Sequence, residues 1–546
     1  MREATNPSIV SEMFVNPSMS TSDINKIISE CPDNTTVYFE DGEYHMKEIF
    51  SVSGKNKLTL KLGGAVFRPY FNPENGDRVP TDSIDVFHFE DCEDLEVLGG
   101  VIKSETPPTV YGIITESTTE YLEVRLFPKT PLTGKEIFVH GRPVDELDRP
   151  CGGFIKDNAP TSKRYELVKN DRLVFANQFV CTNPPLCNME VEYVGENLCR
   201  IRNFTNHLLN LSLGKFKPGT RLTLGYVYYG NAAFVFTNCK NVLMDGTRFS
   251  AFGGMGVVVL PDCFNFTFKN IVMKSDENDF CTEPLQADGI HIAGCGGKVV
   301  FDSCYFEYVK DDVLNIRSQL LTATVCNNGR IELIHDKYLG IVMKNWAKNG
   351  DELLVYDAKT KLQKGKVTVI SFNENSAITD APSKGININP GDFIANYSHF
   401  CEFEAKDCRF KACGGGLKLR TIRKALVHDC VFDGLKKSVN LSASFSATKE
   451  AGAVSNAVIE NNIFANVGYD FAIFSGVYTD GEKLCHIHNN ITVRNNKFIN
   501  GTALRLLDFS ATDNLTIEDN ILKNCNCPFL ELCDCDGVVC RNNITE

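Results

Sequence analysis

The sequence has no run of about 18 apolar residues and no excess of basic side chains. The first absence means that no transmembrane helix is expected. Lys and Arg number 56 against 69 Asp and Glu, which gives a net charge of −13. Nucleic acids and anionic membrane surfaces both bind basic faces, so this balance speaks against either partner. It speaks only weakly against an acidic polysaccharide, because a local basic cleft can exist on an acidic protein.

An apolar leader is also missing, since residues 1–7 (MREATNP) lack the apolar segment of a signal peptide. Two locations stay open: a cytoplasmic protein, or a secreted or periplasmic protein whose leader is not in this sequence. We take the second as the working expectation. The composition leaves a homodimer open.

The 22 cysteines are too few among 546 residues for a disulfide scaffold. A group near the end (Cys525, Cys527, Cys533, Cys535 and Cys540) does not have the paired Cys-x-x-Cys spacing of a zinc site. We predict buried free thiols, with disulfides as the second choice and a metal as the least favoured.

The main pattern is a six-residue segment with an apolar residue at its start, small or polar residues inside it and an apolar anchor at its end. It recurs at 244–249, 268–273, 301–306, 405–410, 427–432, 459–464, 493–498 and 517–522. Consecutive anchors are 22 or 24 residues apart on short turns and 32 to 34 apart on longer ones. Short strands with Asn at their corners indicate a right-handed parallel β-helix, because Asn tolerates left-handed turns and its side chain can bond between coils.

Two segments interrupt this winding with alternating strand patterns and are predicted to be inserted small β-barrel-like domains. The predicted division is a cap with the first coils (1–111), an inserted β domain (112–226), central coils (227–320), an inserted β-barrel (321–398) and C-terminal coils (399–546). The N-terminal helix is expected to be capped by Ser22 and Asp23. Trp346, in the second insertion, is expected to pack internally rather than to stack on a sugar.

Three aspartates stand out: Asp288 lies one coil before the adjacent pair Asp311 and Asp312. Hydrolysis of a glycosidic bond needs one protonated carboxyl group for the leaving oxygen and one ionised carboxylate to activate water or attack carbon. Neighbouring carboxyl groups can supply one protonated and one ionised group, because the negative charge of one raises the pKa of the other. The cluster is therefore a candidate glycosidase site, and a neutral sugar fits the charge balance.

Other polar residues near this cluster in sequence or in coil position are candidate substrate-binding groups. They are His291, Asn315, Arg317, Lys418, Arg420 and Glu450, the last expected in a long coil loop. His291 has no second His or Cys at a ligand spacing, so we expect it to form hydrogen bonds and predict no metal site.

These residues resemble glycoside hydrolase family 110, the α-1,3-galactosidases that act on blood-group-B-type and linear α-galactosyl glycans. The resemblance rests on Ala287-Asp288 with His291, Gly297-Lys298-Val299, and Phe306-Glu307 with Asp311-Asp312 and Asn315. Arg317 departs from the family, which tends to have His there.

The resemblance implies a β-helix with inserted barrels, an inverting reaction on an oligosaccharide or glycoconjugate glycan, and no metal or other cofactor. It also implies catalytic roles for Asp288, Asp311 and Asp312. Similarity to polygalacturonases, which have one Asp a coil before an Asp-Asp pair, gives Asp311 as the general acid and the other two as water-orienting groups. Three rival interpretations are a polygalacturonase-like pectin hydrolase, a non-catalytic β-helix adhesin or glycan-binding protein, and a calcium-dependent lyase.

Overall fold

The computed structural model describes residues 10–70, 85–128, 132–135, 138, 140–144, 179–180, 190–202, 218–219, 221–226, 230–276, 283–335, 343–445, 449–468, 470–478 and 486–546. Within these, the chain winds as a right-handed parallel β-helix with three strand-bearing faces, as the sequence predicted. No helix in the described part is long and apolar enough to cross a membrane.

The first face is a column of parallel strands that pair coil to coil. Its strands are Ser11–Val15, Thr35–Phe39, Leu58–Pro69, Glu93–Ile102, Lys240–Asp245, Cys263–Lys269, Cys295–Asp302, Cys401–Lys406, Thr421–His428, Ala453–Glu460, His488–Arg494, Thr512–Glu518 and Val539–Arg541.

The second face contains shorter parallel strands. It joins the first face through the long strands Leu58–Pro69 and Glu93–Ile102, which pair with strands of both faces. Its own strands are Gly42–Met46, Arg248–Phe249, Val272–Met273, Tyr305–Glu307, Arg409–Lys411, Val431–Asp433, Ile463–Ala465, Lys497–Ile499, Ile521–Lys523 and Ile544–Thr545.

The third face, which bears the candidate site, is again parallel throughout. It consists of Phe50–Ser53, Phe87–Glu90, Gly230–Thr237, Gly254–Val259, Ile290–Ala293, the first part of Asp312–Asn327, Gly415–Leu419, Lys437–Ser444, Phe471–Tyr478, Leu507–Ser510 and Leu530–Cys533.

The anchors of the repeated segment set the register of the coils. Phe306 pairs with Phe410, Phe410 with Phe432, and the series continues through Phe464 to Phe498. Their rings stack at centroid separations of 4.6 to 5.3 Å. Each stacked pair adds about 0.5–1.5 kcal/mol to its area burial, so the predicted repeat forms the core of the coils.

The corners confirm the role predicted for Asn. Asn265, Asn461, Asn490 and Asn495 have φ between 54° and 60°, in the left-handed region. Corner side chains also bond between coils, as from Asn265 Nδ2 to Asn241 Oδ1 at 2.9 Å. Asn is suited to this conformation because its short amide can hydrogen-bond locally.

The one α-helix among the described residues, Thr21–Glu30, buries Ile24 and Ile28 on one side and packs on the strand Phe50–Ser53. Its N-cap is Ser20, whose hydroxyl accepts from the Asp23 N–H at 3.1 Å. The predicted cap at Ser22 and Asp23 is therefore wrong, because the hydroxyl that reaches a free N–H of the first turn belongs to Ser20.

The first insertion contains a seven-stranded antiparallel sheet. In the order of pairing its strands are Phe179–Val180, His140–Val144, Arg221–Gly225, Thr109–Ser117, Leu122–Phe127, Leu198–Arg202 and Glu190–Gly195. Its core includes Val124, Leu126, Cys199 and Leu222.

The second insertion is a closed six-stranded barrel. The strand Asp312–Asn327 runs without a break from the β-helix into it, and pairs there with Arg330–Ile334 and Phe393–Asn396. The circuit is completed by Ser376–Thr379, Gln363–Asn373 and Glu352–Tyr356. A 3-10 turn, Tyr397–His399, leads back to the coils.

Trp346 lies in the barrel core with none of its side chain exposed, and its Nε1–H donates to the Gln319 carbonyl at 3.2 Å. The expectation of internal packing is confirmed.

All seventeen cysteines in the described residues are free thiols, and eleven of them are buried. The prediction of burial is wrong for the C-terminal group: Cys533 and Cys540 are exposed and the others are half-buried. The reason is their position on the last coils, where fewer neighbouring strands cover them.

Candidate active site

The structure brings Asp288, Asp311 and Asp312 together on the third face. Ile290 pairs with Leu314 in the parallel register, so Asp288 lies directly beside Asp312 on the next coil. The Gly289 N–H donates to the Asp312 carbonyl at 2.9 Å, which fixes this approach. One carboxylate oxygen from each aspartate lies within 4.8 Å of the other two.

A run of three glycines makes room for the carboxylates on the following coil. Gly415 pairs with Asp312, and a Cβ at Gly415 would overlap the Asp312 carboxylate. A Cβ at Gly414 would overlap the carbonyl of Lys310. These glycines are not among the predicted site residues; their sequence signal is three successive glycines one coil after the aspartate pair.

Asp288 is the most buried of the three, with 2% of its surface exposed. Its Oδ2 lies 2.6 Å from His291 Nδ1 and 3.5 Å from Asn315 Nδ2. Burial raises the pKa of Asp288, the charge of Asp312 raises it further, and Lys418 partly opposes both, so that the pKa is about 7. Its Oδ1 is buried and has no hydrogen-bond partner among the described residues.

Asp312 is half-buried and forms an ion pair with Lys418, whose Nζ lies 3.0 Å from its Oδ2. Asp311, also half-buried, accepts at its carbonyl from the Gly415 N–H at 3.0 Å. The three carboxyl groups therefore have different surroundings, which is the condition for dividing acid and base roles among them.

The three predicted cationic residues meet at one carboxylate, that of Glu450. Arg420 Nη1 contacts Glu450 Oε2, and Lys418 Nζ lies 3.8 Å from the same oxygen. Arg317 Nε lies 3.7 Å from Glu450 Oε1. Arg420 Nε also donates to Ser442 Oγ at 3.3 Å. Each cation is thus paired with an acidic group.

Glu450 was expected in a coil loop, and this expectation is wrong. The residue lies on the short strand Glu450–Ala451. This strand pairs antiparallel with Ser318 and Gln319, directly after Arg317 on the site strand. The expectation failed because only the pairing of two segments far apart in sequence brings Glu450 to the site. No local residue pattern encodes that pairing.

The remaining predicted side chains form one line across successive coils. His291 pairs with Asn315, Asn315 with Lys418, and Lys418 with Asn440. Asn440 was missed by the sequence analysis, although it continues this line at coil spacing. Oδ1 of Asn315 and Oδ1 of Asn440 are buried without a hydrogen-bond partner in the described residues. Polar atoms in this condition are available to a bound ligand or water.

The geometry allows two kinds of chemistry. Three carboxylates within 4.8 Å are a donor set for a hard cation such as Ca²⁺. They also supply the paired carboxyl groups that glycoside hydrolysis requires. The Lys418 ammonium already supplies a cation at Asp312, and this contact favours the second kind.

Comparison with known proteins finds curated relatives that share one name. Over 448 residues, 77% of this chain and 66% of the relative, the sequence is 21% identical to alpha-1,3-galactosidase B of Bacteroides thetaiotaomicron. It is 25% identical over 280 residues to alpha-1,3-galactosidase A of Akkermansia muciniphila, covering 49% of this chain and 46% of that protein. With alpha-1,3-galactosidase A of Bacteroides fragilis it is 23% identical, covering 60% and 52%. The matches thus span about half to two thirds of these relatives.

No protein-family model matches the chain. Among solved structures, the polygalacturonase from Erwinia carotovora covers all of this chain and 99% of its own, with 11% identity and a TM-score of 0.45. An exopolygalacturonase from Thermotoga maritima covers 98% and 93%, with 13% identity and a TM-score of 0.44. These superpositions do not bear on the chemistry of the site.

Proposed function

We propose that this protein is an exo-acting α-1,3-galactosidase of the family 110 type. It hydrolyses terminal α-1,3-linked galactose from blood-group-B-type or linear α-galactosyl glycans. The observation that carries the proposal is the cluster of three carboxylates from adjacent coils, within 4.8 Å of one another and in unlike surroundings. The shared name of the curated relatives supports the choice of sugar and linkage.

The charge pairing at the site supports a neutral sugar over a uronate. A pectin hydrolase needs cations that are available to the substrate's carboxylates. Here Lys418, Arg317 and Arg420 are bound to Glu450, and Lys418 also to Asp312. His291 adds no charge, because burial and the charges of Arg317 and Lys418 hold its pKa well below the ordinary value.

In the proposed reaction, Asp311 is the general acid, and Asp288 and Asp312 bind the attacking water. Asp311 gives its proton to the glycosidic oxygen while the bond from that oxygen to the anomeric carbon breaks. The water oxygen bonds to the anomeric carbon and gives a proton to one of the other two carboxylates. The carboxylate that took the water proton then releases it to solvent and Asp311 regains a proton from solvent, so the enzyme returns to its starting state.

The proposed stereochemistry is inversion, because the water attacks while two carboxylates hold it and no covalent intermediate forms. Inverting enzymes usually place their two carboxyl groups about 6.5–9.5 Å apart, and retaining enzymes about 5–5.5 Å apart. The separation of at most 4.8 Å is short for either pattern. The anomer first released therefore decides the mechanism: β-galactose, seen by proton NMR before mutarotation, supports inversion, and α-galactose contradicts it.

The proposal includes no metal, because the Lys418 ammonium, 3.0 Å from Asp312 Oδ2, offsets the charge of Asp312. The test is the release of galactose from p-nitrophenyl α-galactoside and from a B-type trisaccharide in the presence of EDTA, with D312N as control. Release by the wild type alone supports the proposal. Activity that EDTA abolishes and Ca²⁺ restores would replace it with a metal-dependent reaction. No release from any galactoside would contradict it.

The acid assignment has its own test, which uses leaving groups of different quality. A substrate with a good leaving group needs little protonation, so D311N is expected to retain far more activity on an activated aryl galactoside than on the trisaccharide. D312N is expected to lose both in similar proportion. The reverse pattern would make Asp312 the acid.

A further inference from the structure

His291 lies between two groups that together determine where its proton resides. Its Nδ1 is 2.6 Å from Asp288 Oδ2, and its Nε2 is 3.0 Å from Arg317 Nε. A guanidinium nitrogen only donates hydrogen bonds. Nε2 must therefore accept from Arg317, and a neutral imidazole then has its hydrogen on Nδ1, from which it donates to Asp288 Oδ2.

Arg317 is itself held in place from the neighbouring strand. Its Nε lies 3.7 Å from Glu450 Oε1, and the strand of Glu450 pairs with the residues that follow Arg317. The side chains of Arg317 and Glu450 are 13% and 11% exposed, so both are largely sequestered from solvent. A buried, ion-paired guanidinium keeps one orientation. A fixed orientation of Arg317 is what the selection of one His291 tautomer requires.

The two oxygens of Asp288 therefore have different tasks. Oδ2 faces the His291 N–H and the Asn315 amide, whereas Oδ1 is buried and has no hydrogen-bond partner in the described residues. A proton or a water molecule that reaches Asp288 does so at Oδ1.

We infer that Arg317, oriented by Glu450, is a positioning residue that selects the Nδ1–H tautomer of His291 and so leaves only Oδ1 of Asp288 for the reaction. This inference rests on the proposed function and replaces the expectation that Arg317, His291 and Glu450 bind the sugar. It also gives a physical role to the residue at which the chain departs from the family it resembles.

The first test reads the tautomer directly. Protein labelled with ¹⁵N-histidine is examined by ¹H–¹⁵N correlation through the ring protons, and the His291 signals are assigned by their loss in H291N. The expected wild-type spectrum has a protonated Nδ1 and an unprotonated Nε2. In R317M, His291 is expected to shift toward the other tautomer, while R494M, which removes an exposed arginine from a C-terminal coil, leaves it unchanged. A wild-type His291 protonated at Nε2 overturns the inference without any variant.

The second test is a double-mutant cycle on hydrolysis. Asn at position 291 can place an amide N–H near the position of Nδ1–H and has no tautomers. R317M in the wild-type background is expected to lower kcat by about 10- to 100-fold, the usual cost of losing an orienting partner. In the H291N background the same change is expected to cost less than about 3-fold, because the residue at 291 no longer needs Arg317 to set its proton. H291Q, whose amide reaches toward the position of Nε2, is expected to be less active than H291N.

The outcomes separate this inference from the proposed function. A purely structural or sugar-binding Arg317 would give equal losses in both backgrounds, or a raised KM with an unchanged kcat, and either result overturns the inference. If no galactoside is hydrolysed but the spectra show Nδ1–H in the wild type and its loss in R317M, the tautomer selection stands and the proposed function fails.

Discussion

Two lines of buried and half-buried polar side chains run across the coils of this β-helix, and they differ in composition. In the C-terminal coils, Asn462, Asn496, Asn520 and Asn543 repeat one residue. The amide oxygens of Asn496, Asn520 and Asn543 each accept from the backbone N–H and the side-chain amide of the asparagine one coil before, at 2.9 to 3.1 Å. The amide oxygen of Asn462 accepts from the Cys430 N–H at 2.9 Å. All four also donate to a backbone carbonyl, as Asn496 does to Ile459 at 2.9 Å.

The site line stacks unlike residues at the same spacing: His291, Asn315, Lys418 and Asn440. Here two amide oxygens have no partner among the described residues, and the neighbouring Asp288 has one carboxylate oxygen in the same condition. Identical residues at coil spacing can satisfy one another completely, which stabilises the fold. Unlike residues leave donors and acceptors unmatched, and these are the groups that a substrate can use.

The largest expected effect lies in the cluster of three aspartates beside the site line. D312N removes the carboxylate next to Asp288, and we expect kcat/KM to fall by about 10³-fold or more, in the upper range for loss of an acid–base group. The matched control is D508N, because Asp508 lies on the same face several coils away. Its kcat/KM should stay within about 2-fold of the wild type. Equal losses in the two variants would show that the cluster has no special role.

The next effect concerns the line of asparagines in the C-terminal coils, and it should appear in the free energy of unfolding alone. N496A leaves the Asn462 N–H, the Asn462 amide and the Ile459 carbonyl without their partner. We expect a loss of about 2–4 kcal/mol in the free energy of unfolding, because buried unsatisfied groups cost about 1–3 kcal/mol each and partly relax.

Thermal and denaturant melts measure this loss, with N490G as control. Asn490 is an exposed corner residue with φ of 54°, a conformation that Gly also adopts. The control should cost about 1 kcal/mol or less. A large fall in kcat for folded N496A would contradict the division between the two lines.

A smaller effect should show that the Asp288 carboxyl group, when ionised, lowers the free energy of unfolding. The folded-state pKa of Asp288, about 7, is above its ordinary value of 3.8. A carboxyl group with a raised pKa favours the folded state when protonated, and this contribution is lost as pH rises through about 7. D288N cannot ionise, so it should be more stable than the wild type at pH 8, by an amount on the order of 2 kcal/mol. Near pH 4 the difference should nearly vanish. A difference independent of pH would contradict the raised pKa.

The smallest effect is a displacement of the pH profile. If Asp288 must be ionised to bind the water, kcat/KM rises with pH until about 7 and then levels. Lys418 lowers the pKa of Asp288, so K418M should move this rise toward higher pH by about 0.5 or more. K298M, which removes an exposed lysine paired with Glu404, should leave the midpoint unchanged. Movement toward lower pH would contradict the electrostatic role of Lys418.

The fold could be predicted from sequence because its signal repeats. The anchor phenylalanines recur at coil spacing and stack as expected, and the corner asparagines adopt the left-handed conformation that their side chains allow. The prediction failed where the signal was not periodic. Ser20 caps the helix in place of Ser22, and Cys533 and Cys540 are exposed, because these outcomes depend on one contact or on nearness to the end of the coil stack.

The sequence by itself determined the coil period, the order of coils and insertions, and the placement of Asp288 one coil before Asp312. These follow from a residue pattern that is local and repeats. Only the tertiary structure decided that Glu450 binds three cations, that Arg317 faces His291, and that one oxygen of Asp288 has no partner among the residues the structure describes. Such contacts join residues far apart in sequence, and their geometry depends on how the strands pair, which no local pattern specifies.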